Sequence, residues 1–556
     1  MKKIINFLLP FIFSILIAVS VIIPYFHKGY FPTHDGEWAV VRLADMFRTL
    51  RDFQVPVRYS GALNFGYGYP LFNFAYPLPY YLGTSFHFLG IGFVDTMKIL
   101  FAGSVLLSAF FMFLASSRLW KNTWAGVVST IIYVYLPYRM VNLYVRGSIG
   151  ESVSFVLFPL LFYQAIKLIK KPSYSYVLLI AISIASLITT HNIMAVFFLP
   201  VLVIFIVSQI IIKNKKEVIR PFVLSIILGL GISAFFWMPA LVEKNNILLS
   251  KIPIADRNLY FVRLDQFLLP RWGYGVPTDS NGFSYQLGIP HLFILFLVIF
   301  YLFFKFLKNR NNFRECSVRT VLLLSSIIAL FIFLLFRPST FLWEHLPFLS
   351  EINYPWTTLS VLGFLVSLMA GFLCRQKYTR YIVICLSLIS IIMYLPYAKP
   401  QYYADREDNY YLTNEATTTS SDELMPLWVK KKPIQRFKEK VEVIEGVGKV
   451  RSVFYNSKKI TFNIDAKNNT KVRVNTIYYP GWNAITNNQK SNIDYRNEKG
   501  VMEIEVSKGE NTVELKFSET PLRLFADLFT IFSFIALILI SYRILLRRGL
   551  SSTSST

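Results

Sequence analysis

The sequence has few charged residues, and acidic ones are the scarcest. Of its 556 residues 16% are Asp, Glu, Lys or Arg and 54% are hydrophobic, whereas about a quarter of an ordinary soluble chain is charged. This balance excludes a typical soluble enzyme and indicates a membrane protein. Lys and Arg number 57 against 32 Asp and Glu, a net charge of +25. In a soluble chain such an excess would suggest nucleic acid, but here the basic residues follow membrane topology, so no nucleic-acid partner is predicted.

Cysteine is also scarce. The three cysteines, Cys316, Cys374 and Cys385, lie in or beside apolar segments, and none belongs to a CxxC pair or a Cys/His spacing. The pattern excludes a zinc-ligand motif and a disulfide framework. Redox chemistry is therefore not predicted.

Twelve apolar runs are each long enough, at roughly 20 residues, to cross a bilayer. They are 4–24, 97–117, 124–141, 152–169, 174–190, 192–212, 221–241, 289–307, 320–336, 355–374, 381–397 and 523–545. The first run could instead be a cleaved signal peptide, but its length and the many runs after it favour a retained helix.

The connections between the runs indicate the topology. With a cytoplasmic N-terminus, every connection on the cytoplasmic side is rich in Lys and Arg, as the positive-inside rule requires. We therefore predict a multi-pass protein of the cell membrane with both termini in the cytoplasm. The long connections then lie outside it, namely 25–96, 242–288, 337–354 and 398–522.

Charged residues are nearly absent from the apolar runs themselves. Ion-coupled transporters place such residues near the bilayer midplane, so their scarcity weakens a transporter interpretation without excluding it. Polar residues gather instead at the outer ends of the runs, at Arg146, Glu151, His191, Asn192 and Glu243. This distribution favours chemistry at the outer membrane surface.

The first outer connection, 25–96, is the candidate active-site loop. Directly after the first run it carries three groups capable of chemistry, His34, Asp35 and Glu37. A helix over 36–53, capped by Thr33 or Asp35, has apolar residues at the spacing of one helical face, so it is expected to lie flat on the membrane. The Gly, Pro and aromatic residues that follow suit the membrane interface better than a span.

Residues 398–522 differ in composition from the rest of the chain. They are rich in charge, Asn and Thr, and they contain short alternating runs such as KVRVNTIYY, VMEIEVS and NTVELKF. Alternation of this kind predicts half-buried strands, and the last two runs flank Lys508-Gly509-Glu510 as a hairpin would. We predict a small β-sandwich after a linker at about 400–440, with a supporting, acceptor-binding or purely structural role. The expected organisation is a membrane module at 1–397, this outer domain at 398–522, and a final helix and cytoplasmic tail at 523–556.

Several segments, in this order, resemble a known family. They are THDGEW at 33–38, GYGYPLFNFAYPLPYYL at 66–82, YVRGSIGES at 144–152, THN at 190–192, FFWMPALVE at 235–243, TTTSSDELMPLW at 417–428 and YYPGWNA at 478–484. Together with the many spans and the C-terminal β domain, they resemble the bacterial glycosyltransferase C superfamily, and more narrowly its branch labelled 6-pyruvoyl-tetrahydropterin-synthase-related membrane proteins. The chain departs from this pattern at Pro355-Trp356-Thr357, where an Arg is expected after Pro-Trp.

The resemblance implies transfer of a sugar from a polyprenyl-phosphate donor to an acceptor outside the cytoplasm, in contact with membrane lipid. Such a reaction needs a carboxylate to take the acceptor's proton and positive charge to bind the phosphate. Asp35 is the candidate base, and a plain helix N-cap is its alternative role.

The remaining candidate residues are assigned to substrate binding. Arg146 or Arg58 would bind the phosphate, while Glu151 would orient acceptor hydroxyls or, with Asp35 and Glu37, hold a divalent cation such as Mg²⁺ or Mn²⁺. An interfacial salt bridge is the alternative for Arg146 and Glu151. The other candidates are Glu37, His34, His191, Asn192 and Glu423. The acid pairs alone do not supply enough ligands for a metal site, so no cofactor is certain.

Two other classes of function stay open at this point. A lipid-linked oligosaccharide flippase or other transporter would also have many spans. A non-catalytic scaffold for cell-envelope assembly would present the β domain without needing Asp35. The sequence does not indicate the sugar, the acceptor or the stereochemical outcome.

Overall fold

The computed structural model describes residues 2–276, 282–308 and 315–553, so part of the predicted basic connection between 305 and 319 lies outside the described residues. The α-helices, in chain order, are α1 Lys2–Ile22, α2 Gly36–Arg51, α3 Leu71–Phe74, α4 Leu78–Phe88, α5 Phe93–Trp120, α6 Thr123–Val134, α7 Pro137–Val141, α8 Ile149–Lys170, α9 Tyr174–Thr190, α10 Asn192–Lys213, α11 Ile219–Ile232, α12 Ala234–Glu243, α13 Leu264–Leu268, α14 Ile289–Lys308, α15 Cys316–Leu335, α16 Thr340–His345, α17 Leu359–Arg375, α18 Arg380–Tyr394, α19 Asp408–Leu412 and α20 Pro521–Thr553. The strands are β1 Val441–Glu445, β2 Gly448–Tyr455, β3 Lys459–Ala466, β4 Thr470–Ile477, β5 Trp482–Thr486, β6 Gln489–Ser491, β7 Val501–Val506 and β8 Gly509–Phe517.

Each of the twelve predicted apolar runs contains a helix, but not all of these helices are full spans. Within the described residues, nine helices are long and apolar enough to cross a membrane. A tenth is a pair, Lys216–Ile232 and Ala234–Asn246, bent by 66°. The last two, α6 and α9, are shorter. Helix α6 ends early because Leu136 precedes Pro137 and takes an extended conformation, as residues before proline do.

The two ends of the helix bundle differ in character. Helices α8, α10 and α17 begin near one another at one end, close to Glu151, His191 and Ser360. Their other ends carry basic residues, at Lys170, Lys213 and Arg375. The polar groups that the sequence places at the outer ends of the runs therefore meet at a single end of the bundle.

Helix α2 forms as predicted but does not lie on the surface. Val40, Leu43 and Met46 are fully buried, and the helix packs against α4 and α5. Its N-terminus is capped by Thr33, whose Oγ1 accepts from the backbone N–H of Gly36 at 3.0 Å. The apolar face of α2 is thus covered by protein, because apolar periodicity indicates a buried face without saying whether lipid or protein covers it.

The C-terminal strands form the predicted sandwich. One sheet has the order β1-β4-β7 and the other β2-β3-β8-β5-β6, all antiparallel. The predicted hairpin between the last two strands is wrong, since β7 pairs with β4 while β8 pairs with β3 and β5. The short connection between β7 and β8 crosses from one sheet to the other. Alternation reports which side chains are buried and does not identify the neighbouring strand.

The β domain holds the first loop in place. The backbone N–H of Ile477 donates to the carbonyl of Tyr67 at 2.9 Å, and the hydroxyl of Tyr59 donates to the carbonyl of Ile477 at 2.8 Å. Further along, the N–H of Ser457 donates to the carboxylate of Asp52 at 2.9 Å. The loop is thus enclosed between the bundle and the sandwich instead of lying open to solvent.

A buried arginine of the first loop contacts both α12 and the last helix. Arg58 is 2% exposed, and its guanidinium donates to Glu519 at 2.8 Å, to Asp527 at 2.7 Å and to the carbonyl of Phe235 at 2.9 Å. That carbonyl is free within α12 because Pro239, four residues on, has no N–H to donate to it. Arg58 therefore links the first loop to α12 and α20.

The predicted topology can be tested by cysteine labelling. In a background with all three cysteines replaced by serine, Lys438→Cys, in an exposed position before β1, should react with a membrane-impermeant maleimide on intact cells. Tyr378→Cys, 85% exposed at the other end of the bundle, should react only after permeabilisation. The opposite pattern would place the first loop in the cytoplasm and contradict an outward-facing site.

Candidate active site

The backbone around Asp35 is clamped to the turn before α8. The N–H of His34 donates to the carbonyl of Val145 at 2.9 Å, and the N–H of Asp35 donates to the carbonyl of Arg146 at 2.7 Å. The clamp requires a glycine at 147, where φ is +66° and an added Cβ would lie 2.8 Å from the Cα of Gly36. The segment YVRGSIGES thus positions the candidate base directly.

The side chain of Asp35 is half-buried and does not cap α2, a role taken by Thr33. Among the described residues it accepts no hydrogen bond. The carboxylate therefore remains available to a ligand, at the N-terminus of a helix where the backbone dipole favours negative charge.

Arg146 is held beside it by three contacts. Its Nη1 forms an ion pair with Glu151 and donates to the hydroxyl of Tyr138 at 3.0 Å, and its guanidinium lies 4.5 Å from the ring centre of Trp356. Burial lowers the pKa of Arg146, but the negative charges of Glu151 and Asp35 raise it by more, so the guanidinium is firmly charged. Its Nε and Nη2 groups donate to no described residue, which leaves one edge of the guanidinium free for an anion.

The carboxylate of Glu151 is occupied by contacts with other side chains of the protein. It is fully buried; one oxygen accepts from Tyr138 at 2.8 Å and from Ser360, and the other from Arg146. These contacts hold Arg146 in position, and the expected role of Glu151 toward acceptor hydroxyls stays a prediction.

His191 lies in the same region. It is 8% exposed, its ring stacks on Tyr76 at 5.2 Å, and its Nδ1 accepts from the N–H of Met194 at 3.4 Å. Burial lowers the pKa of His191 to about 4, so the imidazole is neutral at physiological pH. Asn192, the next residue, is exposed and its Oδ1 bonds the N–H of Ile193 at 3.1 Å.

Glu423 reaches the site from the linker. Burial raises the pKa of Tyr354 to about 12, and the charges of Asp35 and Glu423 both add to the rise. The two carboxylates therefore approach the same tyrosine, one from the first loop and one from the segment before the β domain. The backbone carbonyl of Glu423 is fixed by the N–H of Leu249 at 2.8 Å.

The other predicted residues have partners elsewhere. Glu37 accepts from Arg406 at 2.5 Å, and a ring nitrogen of His34 bonds the carbonyl of Tyr274 at 2.9 Å. Arg58 is enclosed by Glu519 and Asp527, and because its guanidinium pairs with two carboxylates, the geometry favours Arg146 over Arg58 as the predicted phosphate ligand.

The predicted cation site on Asp35, Glu37 and Glu151 stays a prediction that the described geometry does not favour. The described part of the chain contains no group of three or more His, Cys, Asp and Glu side chains that could hold a metal ion. Glu37 and Glu151 are instead neutralised by arginines.

Sequence reasoning missed the residues that support the site. They are Tyr76, Tyr138, Tyr354, Trp356 and Ser360. Trp356 belongs to the Pro-Trp-Thr segment where the resemblance leads one to expect an Arg, and here it packs under the guanidinium of Arg146. The departure from the family pattern after Pro355-Trp356 was the sequence signal that pointed to the residues around Arg146.

Comparisons with known proteins agree with a membrane protein. Residues 72–402 match the model of the 6-pyruvoyl-tetrahydropterin synthase related domain, described as a membrane protein. An uncharacterised protein of Lactococcus lactis subsp. cremoris is 24% identical over 324 residues, which are 57% of this chain and 51% of that protein. The match thus spans about half the length of the curated relative.

Two solved structures share a distant likeness in fold. The arabinofuranosyltransferase AftD from mycobacteria gives a TM-score of 0.45 at 14% identity, over 73% of this chain and 28% of that one. The oligosaccharyltransferase of Archaeoglobus fulgidus in its apo form gives 0.42 at 13% identity, over 77% and 62%.

The clamp at Gly147 gives a stability prediction. Gly147→Ala should lower the melting temperature of the detergent-solubilised protein, because the new Cβ meets backbone atoms of the first loop; such overpacking costs about 1–3 kcal/mol. Gly90→Ala is the matched control, since Gly90 also has a positive φ, +91°, but no atom within 4 Å of its added Cβ. Equal losses in the two variants would show that the loop is not clamped at Gly147.

Proposed function

The chain belongs to the 6-pyruvoyl-tetrahydropterin synthase related family of membrane proteins, and from the arrangement around Asp35 we propose that it is a membrane glycosyltransferase. In this proposal it moves a sugar from a polyprenyl-phosphate donor to an acceptor at the outer membrane surface. One observation carries the proposal: a half-buried carboxylate without a hydrogen-bond partner among the described residues lies beside a guanidinium that is partly exposed and has one free edge. This is the pair of groups that the reaction requires.

The roles of the two groups follow from charge development. As the acceptor oxygen bonds to the anomeric carbon, it loses its proton, and Asp35 takes that proton. The bond from the anomeric carbon to the phosphate oxygen breaks, and the electron pair leaves with the polyprenyl phosphate. Arg146 stabilises the charge on that phosphate.

The residues around Arg146 act as positioning residues. Glu151, Tyr138 and Trp356 hold the guanidinium on three sides, so that it need not reorganise when the donor binds. A guanidinium that is fixed in advance can stabilise the charge of a transition state better than water, which must first reorient.

Substrate contacts beyond these two groups are proposed from location. Glu423 in the linker and Tyr354 shortly before α17 are proposed to contact the acceptor, since the charges of Asp35 and Glu423 both act on Tyr354. His191, Asn192 and His34, on the loops around the bundle end, are proposed to contact the donor sugar. Glu37 is proposed to hold the linker through Arg406.

The first test removes the base. Asp35→Asn should leave the protein folded and able to bind its lipid donor but reduce sugar transfer about 10²–10⁴-fold at saturating donor, because the amide cannot accept a proton. The measurement is transfer of radiolabelled sugar from polyprenyl-phosphate donors in proteoliposomes without ATP or an ion gradient. Were Asp35 only a helix cap, Asn would substitute for it at little cost.

Two further variants control this experiment. Asp95→Asn removes an exposed carboxylate from the first turn of α5 and should leave transfer unchanged. Glu37→Gln should be milder than Asp35→Asn; if it is instead the inactive variant, the wrong carboxylate has been chosen. Donor movement across the bilayer without transfer would favour a flippase, and neither activity would favour a scaffold.

The second test separates the roles of Arg146 and Arg58. Arg146→Lys keeps the charge but loses the planar guanidinium, and it should raise the KM for donor about 10-fold. Arg58→Lys should lower the melting temperature because it disturbs Glu519 and Asp527, while the KM for donor stays unchanged. If Arg58→Lys alone raised the KM for donor, Arg58 and not Arg146 would be the residue that binds the phosphate.

A further inference from the structure

A basic cavity opens at the end of the bundle opposite Asp35. Its volume is about 670 Å³, and it lies between the ends of α5, α8 and α10. Six cationic side chains line it: Arg118, Lys121, Lys167, Lys170, Lys213 and Lys215. No Asp or Glu is among its lining residues. Lys215 pairs with Glu217 at 2.9 Å, and within the described chain the other five form no salt bridge.

The cavity is distinct from the candidate active site. Helix α8 runs from Ile149, next to Glu151, to Lys170 at the cavity and contains 22 residues. At 1.5 Å per residue this is about 30 Å, the thickness of the hydrocarbon core of a bilayer. The cavity therefore lies at the depth of the lipid headgroups on the face opposite Asp35.

Topology alone does not account for this arrangement. The positive-inside rule requires basic residues on the cytoplasmic side, but it does not require them to converge from three helices on one space. Arg375 and Lys377 satisfy the same rule in exposed positions at the turn after α17 without lining the cavity. Like charges around a common cavity repel one another, and a bound anion would relieve that repulsion.

The uncharged part of the lining indicates the kind of anion. The apolar residues of the lining, here called the apolar floor, are Leu119, Ile166, Ile169 and Phe205. Trp124, 53% exposed, follows on α6, and exposed tryptophans at such a depth anchor proteins at the membrane interface. A phosphate group among the cations with methylenes against the floor matches a lipid better than a free phosphate.

We propose that this cavity binds the phosphate headgroup of an anionic phospholipid of the cytoplasmic leaflet. The ammonium and guanidinium groups bind the phosphate, as basic pockets between membrane helices do for anionic headgroups. Glycerol and the first acyl methylenes pack on the apolar floor. The site is independent of sugar transfer, since Asp35 is a bilayer thickness away.

The test is lipid binding by the purified full-length protein in detergent. Short-chain phosphatidylglycerol should raise its melting temperature, and short-chain phosphatidylcholine should not. The triple variant Arg118→Gln, Lys170→Gln, Lys213→Gln removes one cation from each helix and should weaken phosphatidylglycerol binding on the order of 100-fold, roughly fivefold for each charge. Arg118→Lys, Lys170→Arg, Lys213→Arg keeps the charges and should bind as the unmodified chain does.

A second triple variant is the matched control. Lys308→Gln, Arg375→Gln, Lys377→Gln removes three basic residues that do not line the cavity and should leave binding unchanged. Equal weakening in both Gln triples, or equal binding of the two lipids by the unmodified chain, would overturn the proposal. The contrary result is that inorganic pyrophosphate raises the melting temperature as much as phosphatidylglycerol does and competes with it. That result would assign the site to a free phosphate compound and overturn the proposed lipid ligand.

Discussion

The ion pair between Arg146 and Glu151 is the contact on which the Asp35 end of the bundle depends. Glu151 is fully buried, and an unpaired carboxylate in that position would cost several kcal/mol. Arg146, Tyr138 and Ser360 together satisfy it, and these residues come from the turn before α8, from α7 and from α17. The pair therefore fixes the relative positions of three elements, and the next residue, Gly147, forms the turn that receives the first loop.

The same principle holds the β domain in place. Glu243 at the end of α12 accepts from Arg523 of α20 at 2.7 Å, from Asn73 of the first loop at 2.8 Å and from Tyr479 of the β domain at 3.2 Å. The first loop is thus tied to α20 by the buried ion pair of Arg58 with Asp527 and, through Asn73, to the buried pair of Glu243 with Arg523. Removal of either partner would leave a charge in the interior, so the loop, the last helix and the sandwich are held as one unit. Hydrogen-bonded ion pairs are directional and hydrophobic contacts are not, so these pairs constrain the relative orientation of the three parts.

What could be predicted from the sequence was local. Helix α2 followed from a cap and a periodicity within 20 residues, and the strands followed from alternation. The partners of Arg58 lie 461 and 469 residues away, and Ser360 lies 209 residues from Glu151, so no spacing rule could have found them. For the same reason the sequence could not show that Arg58 is paired with two carboxylates or that Glu151 is enclosed while Asp35 is not. The β7–β8 connection shows the same limit, because each strand finds its neighbour at long range.

Because Thr33 and not Asp35 caps α2, the carboxylate of Asp35 makes no hydrogen bond with the described residues. Both residues precede α2 and both can cap it. Because Thr33 supplies the cap, the Asp35 carboxylate is not consumed in satisfying the backbone. It nonetheless stays at the N-terminus of the helix, and Arg146 lies close enough for their charges to interact. Two carboxylates with the same intrinsic chemistry thus have different surroundings: three donors enclose Glu151, whereas the Asp35 side chain accepts no hydrogen bond from the described residues, and this contrast is the basis for proposing Asp35 as the base.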